Sequence, residues 1–246
     1  MDNKKLWVVG IGPGSADEMT VKARNIIEGC RVIAGYSVYC DLLRPSFPDK
    51  EYIETPMTGE EKRVELALKR ADEGGEVALV CSGDAGVYGL AGLAVEKKEA
   101  YPEVEVEVVS GVTAALSGGA LLGAPLIHDF CVISLSDRLT PKEKIERRLL
   151  AAAEADMVIV IYNPESRSRK GYLSWAADVL MRILPGDRIC GIARNIGRSG
   201  EGKEILVLSD LADAQADMFS TVFIGNSSTK RCGSFMVTER GYGSER

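Results

Sequence analysis

The sequence predicts an α/β protein built from two α/β domains. Three observations predict it. Short apolar runs of strand length alternate with amphipathic stretches of helix length, glycine-rich turns follow several of the apolar runs, and Pro125 interrupts the alternation near the middle of the 246-residue chain. A chain of this length is enough for two modest domains, each with its own core. The boundary is placed beside Pro125, giving an N-terminal α/β domain with glycine-rich loops at 1–122 and a C-terminal α/β domain at 123–246.

Each element has its own signal. Leu6 to Val9 is an apolar strand that runs into Gly10-Ile11-Gly12-Pro13-Gly14-Ser15. Thr20 is an N-cap for a helix over Val21 to Glu28. Strands are expected at Arg31–Ala34 and Glu76–Cys81, with an amphipathic helix at Glu60–Asp72 between them. Val104 to Val109 alternates with Glu, as a half-exposed strand does, and Ser110-Gly111-Val112-Thr113 leads into a small-residue helix at Ala114–Leu122. This half implies βαβ units and a mainly parallel sheet, whose ligand loops lie at the strands' carboxyl ends. Beyond Pro125 come strands at Phe130–Leu135, Met157–Tyr162, Arg188–Ala193, Ile205–Leu208 and Ser220–Ile224, with helices at Pro141–Glu154 and Tyr172–Leu184.

Composition narrows the function. Hydrophobic residues make up 46% and charged residues 27%, a globular balance. No apolar run reaches the roughly 18 residues of a membrane span, and the N-terminus lacks a signal-peptide core, so a cytoplasmic protein without a membrane partner is expected. The net charge of −6 disfavours nucleic acid. The six cysteines are scattered without a CxxC pair and there is one histidine, so no metal site is expected.

Three loops carry the candidate chemistry. The first fails as a dinucleotide fingerprint: Ser15 stands where the third glycine belongs, and Pro13 removes an N–H. No Gly-Lys-Ser/Thr follows, so it is not a nucleotide P-loop either. By itself it is a sharp turn that lets backbones pass closely. The second, Ser82-Gly83-Asp84-Ala85-Gly86-Val87, offers amides and one carboxylate to a ligand, or else an Asx turn made by Asp84. The third, Ser110–Ala115, is a helix start that gains weight from its spacing with the other two.

Together, Gly10–Ser15, Ser82–Asp84 and Ser110–Ala114 resemble the loops of the tetrapyrrole (corrin/porphyrin) methyltransferase family. The resemblance runs over nearly the whole chain. It is closest to the branch acting at C17, through Gly35–Tyr39, His128–Asp137, Tyr162–Arg167, Ala193–Gly197 and Gly225–Thr229. It implies the tetrapyrrole methylase fold, with two α/β domains forming a cleft, a homodimer, and S-adenosylmethionine as methyl donor. It further implies methylation of C17 of precorrin-3B or cobalt-precorrin-3 with ring contraction; methylation at another ring carbon, or a non-catalytic corrinoid-binding module, stays open. Motif positions assign the donor to Pro13, Ser82, Gly83, Asp84, Val87, Thr113, Ala114, Asn163, Asn195 and Ile196, Asn163 standing where the family often has methionine.

A sulfonium is already an activated electrophile, and a reduced pyrrole carbon is a nucleophile. Catalysis therefore needs positioning, worth roughly 7–11 kcal/mol, more than acids or metals. Ring contraction gains from a proton donor or acceptor, and His128 with Asp129 is the candidate pair; the other reading of His128 is a packed or capping side chain. Arg167, Arg169, Arg194, Arg198 and Lys230 are candidates to pair with the substrate's acetates and propionates.

Overall fold

The computed structural model describes residues 3–166 and 169–242. The chain divides into two compact units, 1–113 and 114–246.

In the first unit the elements run β1 (Lys5–Gly10), α1 (Val21–Gly29), β2 (Val32–Tyr36), α2 (Ser37–Leu43), β3 (Glu51–Thr55), α3 (Glu60–Asp72), β4 (Glu76–Cys81), α4 (Ala91–Lys97) and β5 (Glu105–Val109). The strands form one wholly parallel sheet in the order β3-β2-β4-β1-β5. Helices cover both faces, which is why β1 and β4 are apolar almost throughout instead of alternating. Ala23 and Ile27 of α1 and Leu43 of α2 pack on Val9, Ile33 and Val80. Val64, Ala67, Leu68 and Ala71 of α3 pack on Leu6, Val8, Val32 and Leu79 of the other face. Those four positions recur at three- and four-residue steps, one stripe of a helix. Glu60 and Glu61 in the first turn of α3 and Lys69 and Arg70 in its last complement the helix dipole. Thr20 caps α1 as expected, its Oγ1 accepting from Ala23 N–H at 3.1 Å.

The second unit begins with α5 (Ala114–Leu122), followed by β6 (Gly123–Ala124), β7 (Phe130–Ser134), α6 (Lys142–Glu154), β8 (Val158–Tyr162), α7 (Tyr172–Leu180), β9 (Ile189–Arg194), β10 (Gly202–Val207), α8 (Leu208–Leu211), β11 (Ser220–Ile224), β12 (Thr229–Cys232) and β13 (Phe235–Thr238). Its main sheet, β10-β9-β11-β8-β7, is mixed: β7 and β8 are parallel, and the other neighbouring pairs are antiparallel. The connection at 195–201 is too short for a parallel crossover, so β9 and β10 form a hairpin. A small sheet of β12, β13 and β6 completes the unit.

The division falls at Thr113–Ala114, ahead of the boundary expected beside Pro125. The reason is α5. Its Ala115 and Leu122 are buried with Val160, Ala193, Ile196, Phe223 and Met236, all residues of the second unit. Gly118 and Gly119 let it lie close: a Cβ on Gly118 would come within 3.1 Å of Phe223 and 3.0 Å of Ile196. The small-residue run that reads as an ordinary helix is thus a close-packing face.

Candidate functional site

Sheet order sets the site in the first unit. Strands β4, β1 and β5 are neighbours and run the same way, so the three glycine loops that follow them lie side by side at their carboxyl ends. The loops are stitched backbone to backbone. Gly12 N–H donates to Gly83 O at 3.1 Å, Gly83 N–H returns a bond to Gly12 O at 2.7 Å, and Ile11 N–H donates to Cys81 O at 2.9 Å. A Cβ on Gly111 would lie 2.2 Å from Gly83 O, and one on Gly10 2.7 Å from Gly111 N. Gly12 and Gly83 also sit at φ +78° and +67°, the left-handed region where a side chain is strained. The glycines are there so that three chain segments can touch, and Pro13 is buried beside them.

Asp84 completes the knot. Its Oδ1 accepts from Gly86 N–H at 2.8 Å and Val87 N–H at 3.2 Å, and its Oδ2 accepts from Gly111 N–H at 2.9 Å. Of the two readings of this residue, the structure shows the turn, with an added tie to the third loop. The side chains of Ser82 and Val87, in the same loop, are both half-buried. Cys81, at the end of β4, is buried, and burial pushes its thiol up to about 11, so it holds its proton at neutral pH and is no nucleophile.

In the second unit β8 and β9 both pair antiparallel with β11, so their carboxyl ends share an edge. Asn163 and Asn195 follow those ends in left-handed backbone, φ +52° and +48°, which asparagine tolerates. Asn163 Nδ2 donates to Ser134 Oγ at 3.0 Å at the end of β7. Asn195 Nδ2 turns into its own loop toward Gly200 O at 3.3 Å, and buried Ile196 packs under α5. Tyr162, the last residue of β8, accepts Ala115 N–H at 2.6 Å through its hydroxyl, holding one of the amides that the first turn of α5 cannot satisfy within the helix. Ala114, Asn163, Asn195 and Ile196 therefore gather at one edge of this sheet. Sequence reasoning missed Tyr162, although it begins the quoted Tyr-Asn-Pro motif; nothing in a pattern says where a phenol will reach.

His128 and Asp129 are not at that edge. They precede β7, which runs parallel to β8, so they lie at the opposite end of the sheet, about one five-residue strand or ~17 Å away. Both are exposed and line an open cavity of about 610 Å³ with Phe130, Asp156, Met157, Asn226 and Ser228. Strand direction thus separates this pair from Asn163 and Asn195.

The basic candidates do not form one patch. Arg194 is engaged by Glu204 at 2.7 Å and by Gln215 O at 2.9 and 3.2 Å, so its guanidinium already has acceptors. Lys230, on β12, is ion-paired with Glu239, just past the end of β13, which raises its pKa. Arg198 lies 5.0 Å over the Phe219 ring. Arg169 donates to Asn163 O at 3.3 Å and so stays with the asparagine edge, and Arg167 lies outside the described residues.

The family model of the tetrapyrrole (corrin/porphyrin) methylases matches residues 5–212. The chain is a tetrapyrrole methylase. It is 43% identical over 238 residues to a probable cobalt-factor III C(17)-methyltransferase of Salmonella typhimurium, covering 96% of this chain and 99% of the relative. It is 39% identical to a precorrin-3B C(17)-methyltransferase of a Sinorhizobium species, covering 92% and 90%. Among solved structures it resembles the methyltransferase CobJ, with a TM-score of 0.88 at 34% identity over 95% of this chain and 99% of that one.

Family membership brings S-adenosylmethionine as methyl donor. The residues present fit such a group. The three loops of this tetrapyrrole methylase carry no Lys, Arg or His, and the one carboxylate among them is Asp84, so no basic side chain in them repels a sulfonium. Their close backbone packing at adjacent strand ends offers main-chain groups at short range, the means by which neutral adenosine and zwitterionic methionine parts are held.

Proposed function

We propose that this tetrapyrrole methylase transfers a methyl group from S-adenosylmethionine to C17 of precorrin-3B or cobalt-precorrin-3, with contraction of the macrocycle, in cobalamin assembly. The observation that carries this is similarity over 96% of the chain, 43% identity covering 99% of a relative named as a probable cobalt-factor III C(17)-methyltransferase. Pro13, Ser82, Gly83, Val87 and Thr113 in the first unit are assigned to the donor, with Ala114, Asn163, Asn195 and Ile196 in the second. Asp84 is assigned to holding the loops that do so. Arg169 is the substrate-carboxylate residue we retain from the basic set, because it stays at the edge that carries Asn163.

Bound S-adenosylmethionine supplies a methyl group on a sulfonium, which leaves as a neutral thioether. The protein's part is to fix distance and direction. The stitched loops do this at little entropic cost, because glycine contacts and Asp84 set their shape before the donor arrives. A homodimer is the proposed assembly, on the strength of the family resemblance, and the cytoplasm the proposed location. Among the described residues no helix is long and apolar enough to cross a membrane.

The test is turnover with S-adenosylmethionine and each of the two tetrapyrroles, metal-free and cobalt-bearing. A product heavier by one methyl, with NMR placing it at C17 and the spectrum of a contracted ring, is expected. A methyl at another carbon refutes the C17 assignment, and donor binding without transfer to either tetrapyrrole refutes the catalytic reading.

A further inference from the structure

Two stretches of the chain, His128-Asp129-Phe130 and Gly225-Asn226-Ser227-Ser228-Thr229, take no part in the donor and substrate assignments, and the second unit brings them together. Strand β11 runs antiparallel to β8 while β7 runs parallel to it, so the end of β11 meets the starts of β7 and β8. The open cavity of about 610 Å³ lies there. His128, Asp129 and Phe130 line it from the start of β7, Asp156 and Met157 from the residues ahead of β8, and Asn226 and Ser228 from those after β11. A cavity of this size takes a small organic molecule.

Local bonds set its shape and leave particular groups open. Asp156 stands past the end of α6 in left-handed backbone, φ +53°, and holds Ser227: its Oδ1 accepts Ser227 N–H at 2.8 Å, and its Oδ2 accepts the Ser227 hydroxyl. Asn226 is only 3% exposed. Its Oδ1 accepts from Ser228 N–H at 3.0 Å and from Thr229 Oγ1 at 3.2 Å, which fixes the orientation of the amide. Its Nδ2 donates to no described residue, although buried donors are as a rule satisfied. An acceptor from outside the protein completes it.

The charged groups are equally unanswered. Asp129 is exposed, and its side chain makes no hydrogen bond or ion pair with a described residue. Asp156 has Ser227 but no cation. Arg240, whose side chain reaches this end, donates to Ile127 O at 3.1 Å and to neither carboxylate. Beside them the Phe130 ring is 38% exposed, a face that suits methylenes or a cation.

We propose that this cavity is a second binding site, for a small organic cation: an ammonium group on an apolar chain that carries a carbonyl at its other end. The carbonyl accepts from Asn226 Nδ2, the chain lies along Phe130 and Met157, and the ammonium pairs with Asp129 and Asp156. Charge sets the class. An anionic ligand meets two like charges, and a neutral one leaves both carboxylates without a partner. The site lies at the opposite end of the sheet from Asn163 and does not depend on the donor-site reading.

His128 is the only histidine in the chain, so its imidazole C–H signals report on this cavity. The experiment is NMR of histidine-labelled protein titrated with N-acetyl-lysine amide. The His128 signals should shift and saturate with a Kd on the order of 1 mM, as befits a ligand of this size. N-acetyl-norleucine amide, which lacks the ammonium, and butylamine, which lacks the carbonyls, should each bind at least about fivefold more weakly. Asp129→Asn, an exposed change of nearly equal volume, should weaken the lysine amide at least about fivefold and melt within about 2 °C of the parent. The proposal is overturned if no saturable shift develops by about 20 mM, if either comparison ligand binds as tightly as the lysine amide, or if a folded Asp129→Asn protein keeps the parent's affinity. Should that variant melt well below the parent, the three ligands on the parent protein decide the matter alone.

Discussion

Replacing Asp84 with alanine strands three backbone amides at once. The amide of Gly86 is exposed and regains water at little cost. Those of Val87 and Gly111 are part-buried, at 3.2 and 2.9 Å from the carboxylate. At roughly 1.5 kcal/mol for each of these charge-assisted bonds, the loss is about 3 kcal/mol. For a unit the size of residues 1–113, about 4 °C per kcal/mol gives a fall of roughly 12 °C in the melting transition of that unit. Because the bond to Gly111 N–H joins the second loop to the third, the donor contacts on both shift, and affinity for S-adenosylmethionine should drop by about 10- to 100-fold. Asp84→Asn keeps one acceptor and should fall between parent and alanine. Scanning calorimetry with donor titration reads both effects. An Asp84→Ala protein that melts within about 2 °C of the parent refutes the knot; if it also binds the donor weakly, the carboxylate touches the ligand instead.

Tyr162→Phe removes the acceptor of Ala115 N–H and should cost about 1 kcal/mol with a several-fold weaker donor Kd, whereas Tyr52→Phe, which removes a hydroxyl bond to Phe47 O, should leave that Kd unchanged. Gly111→Ala drives a Cβ into Gly83 O and should destabilise the first unit by more than about 3 kcal/mol; Gly92→Ala, with open space around the new Cβ in α4, should stabilise by up to about 1 kcal/mol, and denaturant melts separate the two. His128→Ala should leave donor affinity within twofold, since it lies a strand's length from Asn163, and a larger change in titration calorimetry would contradict the placement. Burial pushes the thiols of Cys30 and Cys40 up to about 12 and that of Cys81 to about 11. The folded state therefore keeps protons that the unfolded chain sheds near pH 9. This contribution to stability is complete below about pH 8 and is lost as pH rises toward 11–12, as alkaline melts should record. At pH 8 a thiol reagent should label exposed Cys232 quickly and these three only on unfolding.

Local pattern determined the elements with the strongest periodicity. Glu60–Asp72, Glu76–Cys81, Ala114–Leu122 and Ser220–Ile224 are legible residue for residue, because an apolar stripe or a fully apolar run has one stable way to be buried. The three loops and the family they mark are legible too, since close backbone contact requires glycine at fixed places. Strand direction is not. It depends on connection lengths and on which neighbours are available, and it sent His128 and Asp129 to the far end of the sheet from Asn163 and bent the second unit into a mixed sheet. Nor does a pattern reveal partners distant in the chain. That Asp84 would spend its carboxylate on Gly111, Tyr162 its hydroxyl on Ala115, and Arg194 its guanidinium on Glu204 was decided only when the packed sheets brought those groups within hydrogen-bonding distance.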